Sequence, residues 1–570
     1  MVNKFKRLEM KNIYKNPVAC FMALGVLLIA SCQKVEYRAR YEGNTISDVY
    51  ATYEGRGRDR VFEGRISNDT VYLDIDYYYP IDSDNEMDIS KVLIRATVPS
   101  DAMVSPSLSD FWDLRTPKPL TVTSGSGVVK NYVVVANKAG NTVVSNAVLN
   151  YTDEGGNAQE VQAIIIGDRI NFSVVPGTIL NNAKLSYTIN KHSSGSIANG
   201  GAVDLSSPKP FVVSSVGNAQ RKYTLQLVQA VKLAKGIRPG SAKVLFAKRL
   251  KGDLGIMVDD VTGGIAATGK YVVLNTRNQN SVYINALTGE KVGEIDLGAI
   301  KGNLKNFYTT ADDGGNIFVC NLAPNDGAVF NIWKLSSVTG TPQPFIQWNT
   351  GGRGFGRKFS VIGDVNKDAI ITAPVVGVLS SSFARWRVVN GALVSQTPEM
   401  VTMTDYSWSN NNIDMIHTSP TNVASDYFAA GYSNNRLVKV SGSTNAIMSS
   451  LAQLPTNFIA NAVDYIEFNN AKFVAYNHVN SFSWGSADQV FLIDTEGGFS
   501  GDPSANTTPG LVWAPEKGKY GPSGAGGNVN GNATGDVAMT LSENGYYMYL
   551  YFMFTNGYVV GVQFDCVDIK

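Results

Sequence analysis

The chain has 570 residues, 44% hydrophobic and 17% charged. These are the proportions of a folded globular protein rather than a disordered one, at a length that implies about three or four domains. Of the formal net charge of +1, Lys4, Lys6, Arg7, Lys11 and Lys15 against Glu9 place +4 in the first 31 residues and leave −3 for the rest, which excludes the basic footprint of a nucleic-acid-binding protein.

Met1–Lys15 is a basic leader, and Pro17–Ala30 is an apolar run of 14 residues. That is short of the roughly 20 residues of a transmembrane helix and suits the core of a secretion signal. It ends in Leu28-Ile29-Ala30-Ser31-Cys32, which resembles a bacterial lipobox. Residues 1–31 are then the expected signal peptide, Cys32 the lipidation site and residues 32–46 a tether. Several acyl chains on one Cys anchor firmly, since each buried CH₂ contributes about 0.8 kcal/mol. Gln33-Lys34-Val35-Glu36 resembles the charged tether that sends Bacteroidota lipoproteins to the cell surface, and no Asp follows Cys32 directly. Cys20 leaves with the signal. Cys320 and Cys566 lie in apolar runs and read as buried free thiols.

With 55 Gly, 27 Tyr, 24 Phe and many short Val/Ile/Tyr-rich runs, the remainder reads as all-β. Asp113-Leu-Arg-Thr-Pro-Lys-Pro-Leu120 recurs 91 residues later as Asp204-Leu-Ser-Ser-Pro-Lys-Pro-Phe211, and Tyr132 matches Tyr223 at the same offset. Residues 47–140 and 141–234 are therefore expected to be two copies of one unit, each the size of an immunoglobulin-like β-sandwich. The pattern resembles the Ig-like modules that open Bacteroidota surface lipoproteins of unknown function, and such modules act as spacers.

From residue 235 to 570 the pattern changes. Tyr271–Leu297 (YVVLNT-RNQN-SVYINA-LTGE-KVGEIDL) is three alternating strands with an Asn-rich turn and a Thr-Gly turn. It resembles a YVTN-type propeller blade. Similar units restart at residues 317, 369, 427, 472 and 546, giving six blades, or seven if one more is concealed. Lys243–Leu250 is a spare strand ahead of the first unit and the last unit is one strand short, as in a ring closed by pairing its two ends. The competing architecture is a third and fourth sandwich.

In such a ring, the turns between strands two and three and the blade-to-blade connections emerge on one face. Asn349–Arg357, Pro398–Asn412, Pro515–Thr534 and His478–Asp488 are the long segments on it. They carry Arg353, Phe355, Arg357, Tyr406, Trp408, Phe482, Trp484 and Tyr520 among Asn, Ser and Gly. Aromatic faces stack on the C–H face of a sugar while Arg and amides bond its hydroxyls, so these eight form the expected ligand-binding set. The competing reading for each aromatic is that it pins its own loop.

Other constellations carry less. Asp364-Val-Asn366-Lys-Asp368 has calcium-loop spacing but Ala369 and Val375 where Gly and Glu belong, so a tight turn is expected. Asp82, Asp84, Glu86 and Asp88 read as a solvated acidic loop. Gly352-Arg-Gly354-Phe-Gly356 lacks the following Gly-Lys-Ser/Thr of a phosphate loop. Asp69-Thr70-Val71 matches a loose Bacteroidota O-glycosylation pattern. His192 falls in a polar loop, and His417 in an expected innermost strand. No catalytic motif, metal set or cofactor site emerges. The whole chain resembles Bacteroidota cell-surface lipoproteins with Ig-like modules and a propeller-like domain of unknown function. The resemblance implies an outer-membrane, lipid-anchored, non-catalytic binding protein facing outward, with a polysaccharide or a protein of an uptake complex as partner. The alternatives are a propeller enzyme, hydrolase or lyase, and a structural or protein-docking adhesin.

Overall fold

In Thr70–Asp76 every second side chain is buried (Val71, Leu73 and Ile75), the period-two signature of a strand with one face on a core. The computed structural model describes residues 39–568, apart from 54–60, 154, 155, 157, 325, 326, 410–412, 432–434, 456 and 481–484. The signal segment and Cys32 lie outside the described residues, as do Phe482 and Trp484. The chain divides into two compact units, one of residues 1–147, 187–200 and 210–224, the other of residues 148–186, 201–209 and 225–570.

Eight strands build the first repeat: β1 (Asp48–Tyr53), β2 (Val61–Ser67), β3 (Thr70–Asp76), β4 (Val92–Thr97), β5 (Met103–Ser105), β6 (Phe111–Trp112), β7 (Lys118–Thr123) and β8 (Val129–Ala139). Their order is β5-β7-β8-β3-β2-β1-β4-β6. The first half of β2 pairs with β1 and its second half with β3, so one strand serves both layers. Gly64 sits at that crossing, where a Cβ would lie 2.6 Å from Val49 Cγ1. Val49, Phe62, Leu73, Ile94, Leu120 and Val134 meet in a single core, as in a sandwich.

The second repeat has β9 (Val144–Thr152), β10 (Ala158–Ile166), β11 (Arg169–Val174), β12 (Asn181–Ile189), β13 (Ser193–Gly195), β14 (Gly201–Ala202), β15 (Lys209–Ser215) and β16 (Gln220–Gln229). Its order, β13-β15-β16-β11-β10-β9-β12-β14, is the first order with eight added to every label. The repeated motif has one job in both copies. Asp113 and Asp204 each accept a hydrogen bond from the backbone N–H two residues on, at 3.1 and 2.9 Å, an Asx-type turn. Leu120 and Phe211 then enter the core. The matching tyrosines pin the start of each copy, Tyr132 Oη accepting from Ile46 N and Tyr223 Oη from Val144 N, both at 3.2 Å. Ile46, expected to end the tether, is thus already buried. The acidic loop is exposed to solvent, as expected, and three of its carboxylates also find partners. Glu86 pairs with Lys138 at 2.5 Å, and Asp84 with Lys191 and His192, each at 3.0 Å. Asp82 accepts from Asn190 at 2.6 Å.

The rest is a six-bladed β-propeller. From innermost to outermost, blade 1 is Thr262–Ala267, Tyr271–Thr276, Ser281–Asn285 and Lys291–Ile295; blade 2 is Tyr308–Ala311, Ile317–Cys320, Val329–Leu335 and Gln343–Asn349. Blade 3 is Ser360–Gly363, Ala369–Pro374 and Ser382–Val389, with an outer edge split into Ala392–Leu393 and Glu399–Thr402. The second piece falls inside the segment expected to be a loop. Blade 4 is Ile413–His417, Tyr427–Gly431, Leu437–Val440 and Ile447–Ser450; blade 5 is Val463–Phe468, Ala471–Asn480, Gln489–Asp494 and Leu511–Trp513. Blade 6 is Gly535–Leu541, Tyr547–Phe554, Tyr558–Asp565 and, outermost, Lys243–Arg249 from the far end of the domain. Lys243 pairs with Gln563 and Arg249 with Tyr558, so the spare N-terminal strand supplies the missing edge. Each inner strand packs against the next, and the sixth against the first. Upstream, Val231–Lys232, placed by the sequence in the second sandwich, pairs with Val567–Asp568.

Phe246 fixes the closing strand. It is buried and stacks on Tyr551, with ring centroids 6.3 Å apart. Phe246→Ala is expected to destabilise the propeller by about 3–5 kcal/mol, read as a lower urea midpoint. A change under about 1 kcal/mol would show that this strand is not needed to hold the ring.

Candidate functional site

The inner strands carry polar side chains that reach across to neighbouring blades. Asp536 Oδ2 accepts from Ile265 N at 2.8 Å, joining blade 6 to blade 1. Asn275 Nδ2 donates to Asn306 O at 3.0 Å, joining blades 1 and 2. Asp312 and Asp313 accept from Val365 N (2.9 Å) and Gly363 N (3.0 Å), joining 2 and 3. Ser360 Oγ donates to Asp414 Oδ1 at 2.6 Å, joining 3 and 4. Asp414 Oδ2 accepts from Val463 N at 3.2 Å, and Asp464 Oδ2 from Met539 N at 2.6 Å, which completes the circuit. Burial pushes the carboxyls of Asp312, Asp313 and Asp464 upward, Asp313 to about 6.

At one mouth of this axis Lys358 donates to Asp536 Oδ1 at 2.5 Å and to Gly535 O at 3.1 Å, with both charges buried. Tyr308 Oη donates to the same carboxylate at 3.0 Å. Burial raises Asp536 to about 6 against the pull of Lys358. Above this floor opens a small cleft of about 30 Å³, lined by Asp260, Val261, Gly263, Arg277, Phe307, Tyr308, Arg357, Lys358, Asn532 and Thr534. Arg277 lies on the turn between strands two and three of blade 1, and the others on inner strands or the blade-to-blade segments before them. All belong to the face singled out from the sequence.

Local sequence explains the placement. Asn306 donates to Thr276 O (3.0 Å) and Gln279 O (3.1 Å) and accepts from Asn278 N (3.1 Å), clamping the turn that presents Arg277. Asn278 takes φ of +61° there, a conformation Asn tolerates. Arg357 follows the Gly-rich run. Gly356 has φ of +100° and passes so close to Asn321 O that a Cβ would lie 1.9 Å away. Those glycines serve close backbone approach, not a phosphate. The Arg277 guanidinium sits 4.6 Å from the Phe307 ring centroid and that of Arg357 5.9 Å from it. Burial, then the neighbouring Arg357, hold Arg277 below its ordinary range, and burial does the same to Arg357.

Of the other expected binding residues, the five that the structure describes do not line this cleft. Phe355 is fully buried against Phe330 and Trp348, at 5.8 and 5.1 Å between centroids. Trp408 is buried with Nε1 donating to Val375 O at 2.6 Å, and Tyr406 is buried with its hydroxyl on Arg436 O at 3.3 Å. Tyr520 packs on Phe552 and Tyr558. These four pin their own long segments, and burial leaves them no face for a ligand. Arg353 is exposed on its loop. Arg277 sits on a short, Asn-clamped turn and Phe307 at the end of the connection from blade 1 to blade 2, so neither falls in the segments singled out from the sequence. The available signal was a cation at a tight turn on the chosen face.

The histidines are structural. His417 is buried beside Phe383, Tyr427 and Arg385, and burial, then Arg385, lower it to about 3. His478 bonds Tyr476 Oη at 2.8 Å and is lowered to about 3 by burial. Cys320 and Cys566 are buried free thiols. Asp364–Asp368 is a hairpin turn in which Asp364 Oδ1 accepts from Asn366 N at 2.8 Å. Among the described residues no cluster of His, Cys, Asp or Glu could hold a metal ion, and no helix is long and apolar enough to cross a membrane.

Fold and cleft define an all-β protein with a closed six-bladed propeller and a cationic axial mouth. The chain belongs to the family of a domain of unknown function, DUF8500, whose model matches residues 245–565, more than half its length. Residues 27–136 match a second domain of unknown function, DUF5018. Among solved structures it is similar to a DUF4623 family protein from Bacteroides eggerthii DSM 20697, with 13% identity over 74% of this chain and 98% of that one and a TM-score of 0.44. It is also similar to a structural genomics protein of unknown function from Bacteroides thetaiotaomicron VPI-5482, with 12% identity, coverage of 78% and 94% and a TM-score of 0.33. Among curated proteins nothing matches.

On the same face Asp488 is buried, accepts from Asn480 N at 2.7 Å, and among the described residues has no hydrogen-bond partner for Oδ2. Burial raises it to about 7. The folded state holds this proton more tightly than the unfolded chain, whose carboxyl ionises near 4. Its contribution to stability is therefore full below about pH 4 and lost as pH rises through about 7. Asp488→Asn is expected to flatten the fall in melting temperature between pH 4 and 8. An unchanged slope would show that Asp488 does not titrate in that window.

Proposed function

We propose that the protein is a non-catalytic binding lipoprotein, anchored through Cys32 in the outer membrane and facing outward, which takes a glycan or another extracellular ligand at the propeller mouth. The axial cleft carries this reading. It lies where blade-to-blade segments converge, and it gathers Arg277, Arg357 and Phe307 beside the axis. The axial carboxylates, by contrast, are committed to backbone N–H groups of neighbouring blades, which supports binding over acid–base chemistry. The two N-terminal repeats, read as Ig-like modules, act as spacers between anchor and propeller.

Two experiments test it. Cys32→Ser is expected to move the protein expressed in its own host from the detergent phase to the aqueous phase; retention in detergent would contradict the lipid anchor. Gly263→Trp fills the cleft at a site where an added Cβ meets only Thr534 Oγ1, at 3.8 Å. Purified protein screened on a glycan array is expected to bind, and Gly263→Trp to lose at least tenfold in affinity with its melting temperature unchanged. Binding untouched by the Trp would move the site elsewhere.

A further inference from the structure

Two guanidiniums lie over one phenyl ring, that of Phe307, at the mouth. A guanidinium carries about five N–H donors and cannot shed its charge at neutral pH. Arg277 directs one bond at the protein, Nη2 to Asp260 O at 2.7 Å. Arg357 makes no hydrogen bond or ion pair among the described residues; its one contact of note is the Phe307 ring. Both are half-buried. The lining includes a carboxylate, Asp260, but its Oδ1 accepts from Gly531 N and Asn556 Nδ2, each at 2.8 Å. The remaining cation, Lys358, is matched by Asp536. Lys358 also lies 4.0 Å from Asp414, and Arg357 is the cation of the mouth with no carboxylate paired to it among the described residues.

Holding two like charges close together in partial burial, with donors unused, costs the free protein stability. An oxyanion spanning them would remove the repulsion and satisfy both forks at once. Burial, then the neighbouring Arg357, weakens the hold of Arg277 on its proton, and burial alone does so for Arg357. Beside them stand the Asn532 amide, which donates to Asp260 O, and the Thr534 hydroxyl, bonded to Thr555 Oγ1; each keeps further hydrogen-bonding capacity that suits a sugar hydroxyl.

We infer that Arg277 and Arg357 form an anion-binding fork, and that the ligand of the mouth is an acidic glycan presenting a carboxylate or sulfate ester to it. This rests on the reading of the mouth as the ligand site and adds the chemical class. The cleft is small, so it takes one acidic residue or chain end rather than a long segment.

The test uses affinity electrophoresis and calorimetry with polygalacturonate against its fully methyl-esterified form, and dextran sulfate against dextran. At least one acidic polymer is expected to bind, at least tenfold more tightly than its uncharged counterpart and more weakly as salt rises; which one separates carboxylate from sulfate. Arg277→Gln and Arg357→Gln should each weaken it at least tenfold, with Arg357→Lys keeping part of the affinity and all three melting like wild type. If the uncharged polymer binds equally and Gly263→Trp abolishes that binding, the acidic class is overturned while the mouth remains the site. If no polymer binds, or Gly263→Trp leaves acidic binding intact, both fall. Poly-L-glutamate binding as tightly as the acidic polysaccharide would overturn the glycan assignment in favour of an acidic protein segment.

Discussion

The propeller depends on a chain that borrows its own beginning to finish its end. Lys243–Arg249 completes blade 6 beside Tyr558–Asp565, so neither terminus of the domain leaves an open sheet edge. Closure then fixes the spacing of the inner strands, and at every junction a side chain from one blade meets a group on the next. Asp414 and Asp464 each accept from the next blade's backbone. Buried carboxylates are costly alone and tolerable when their lone pairs meet fixed N–H donors. Here that demand does structural work, because each carboxylate is satisfied only while its neighbour stays in register.

The same logic separates the two kinds of loop-face residue. A long connection needs an apolar anchor, and Phe355, Trp408 and Tyr520 provide it by sinking into the blades they cross. The cations that remain at the axis are held by local backbone constraints. Asn306 grips the turn of Arg277, and the crowded backbone at Gly356 sets Arg357. Rigid turns holding like charges near one another fit a site made ready in advance, since the cost is met in folding rather than at each binding event.

Much of this was legible in the sequence. All six second strands begin within a residue of the positions read from the sequence, because each is a short, largely apolar run bounded by turn residues. The repeat Asp113–Leu120 and Asp204–Phe211 announced one topology twice. The inner strands were harder. Ser360–Gly363 and Tyr308–Ala311 are four residues long and buried on both faces or nearly so, so no alternation marks them. The site was read half correctly in location and poorly in detail. The face follows from strand order, but whether Trp408 turns outward or inward depends on a carbonyl, Val375 O, far away in sequence. The acidic run 82–88 is solvated as read, but its pairing of Asp84 with Lys191 and His192 was hidden for the same reason, because they lie in the other repeat.

The central claim is that one mouth of a closed ring is the place where this protein meets its ligand. Hydrogen exchange read by mass spectrometry, with and without a saturating acidic oligosaccharide, tests it most directly. The account predicts slowed exchange confined to segments around residues 260–264, 276–280, 305–309, 356–359 and 531–535, which border the cleft. Protection on the opposite face, at turns such as 364–368 or 542–546, or none at all, would contradict it.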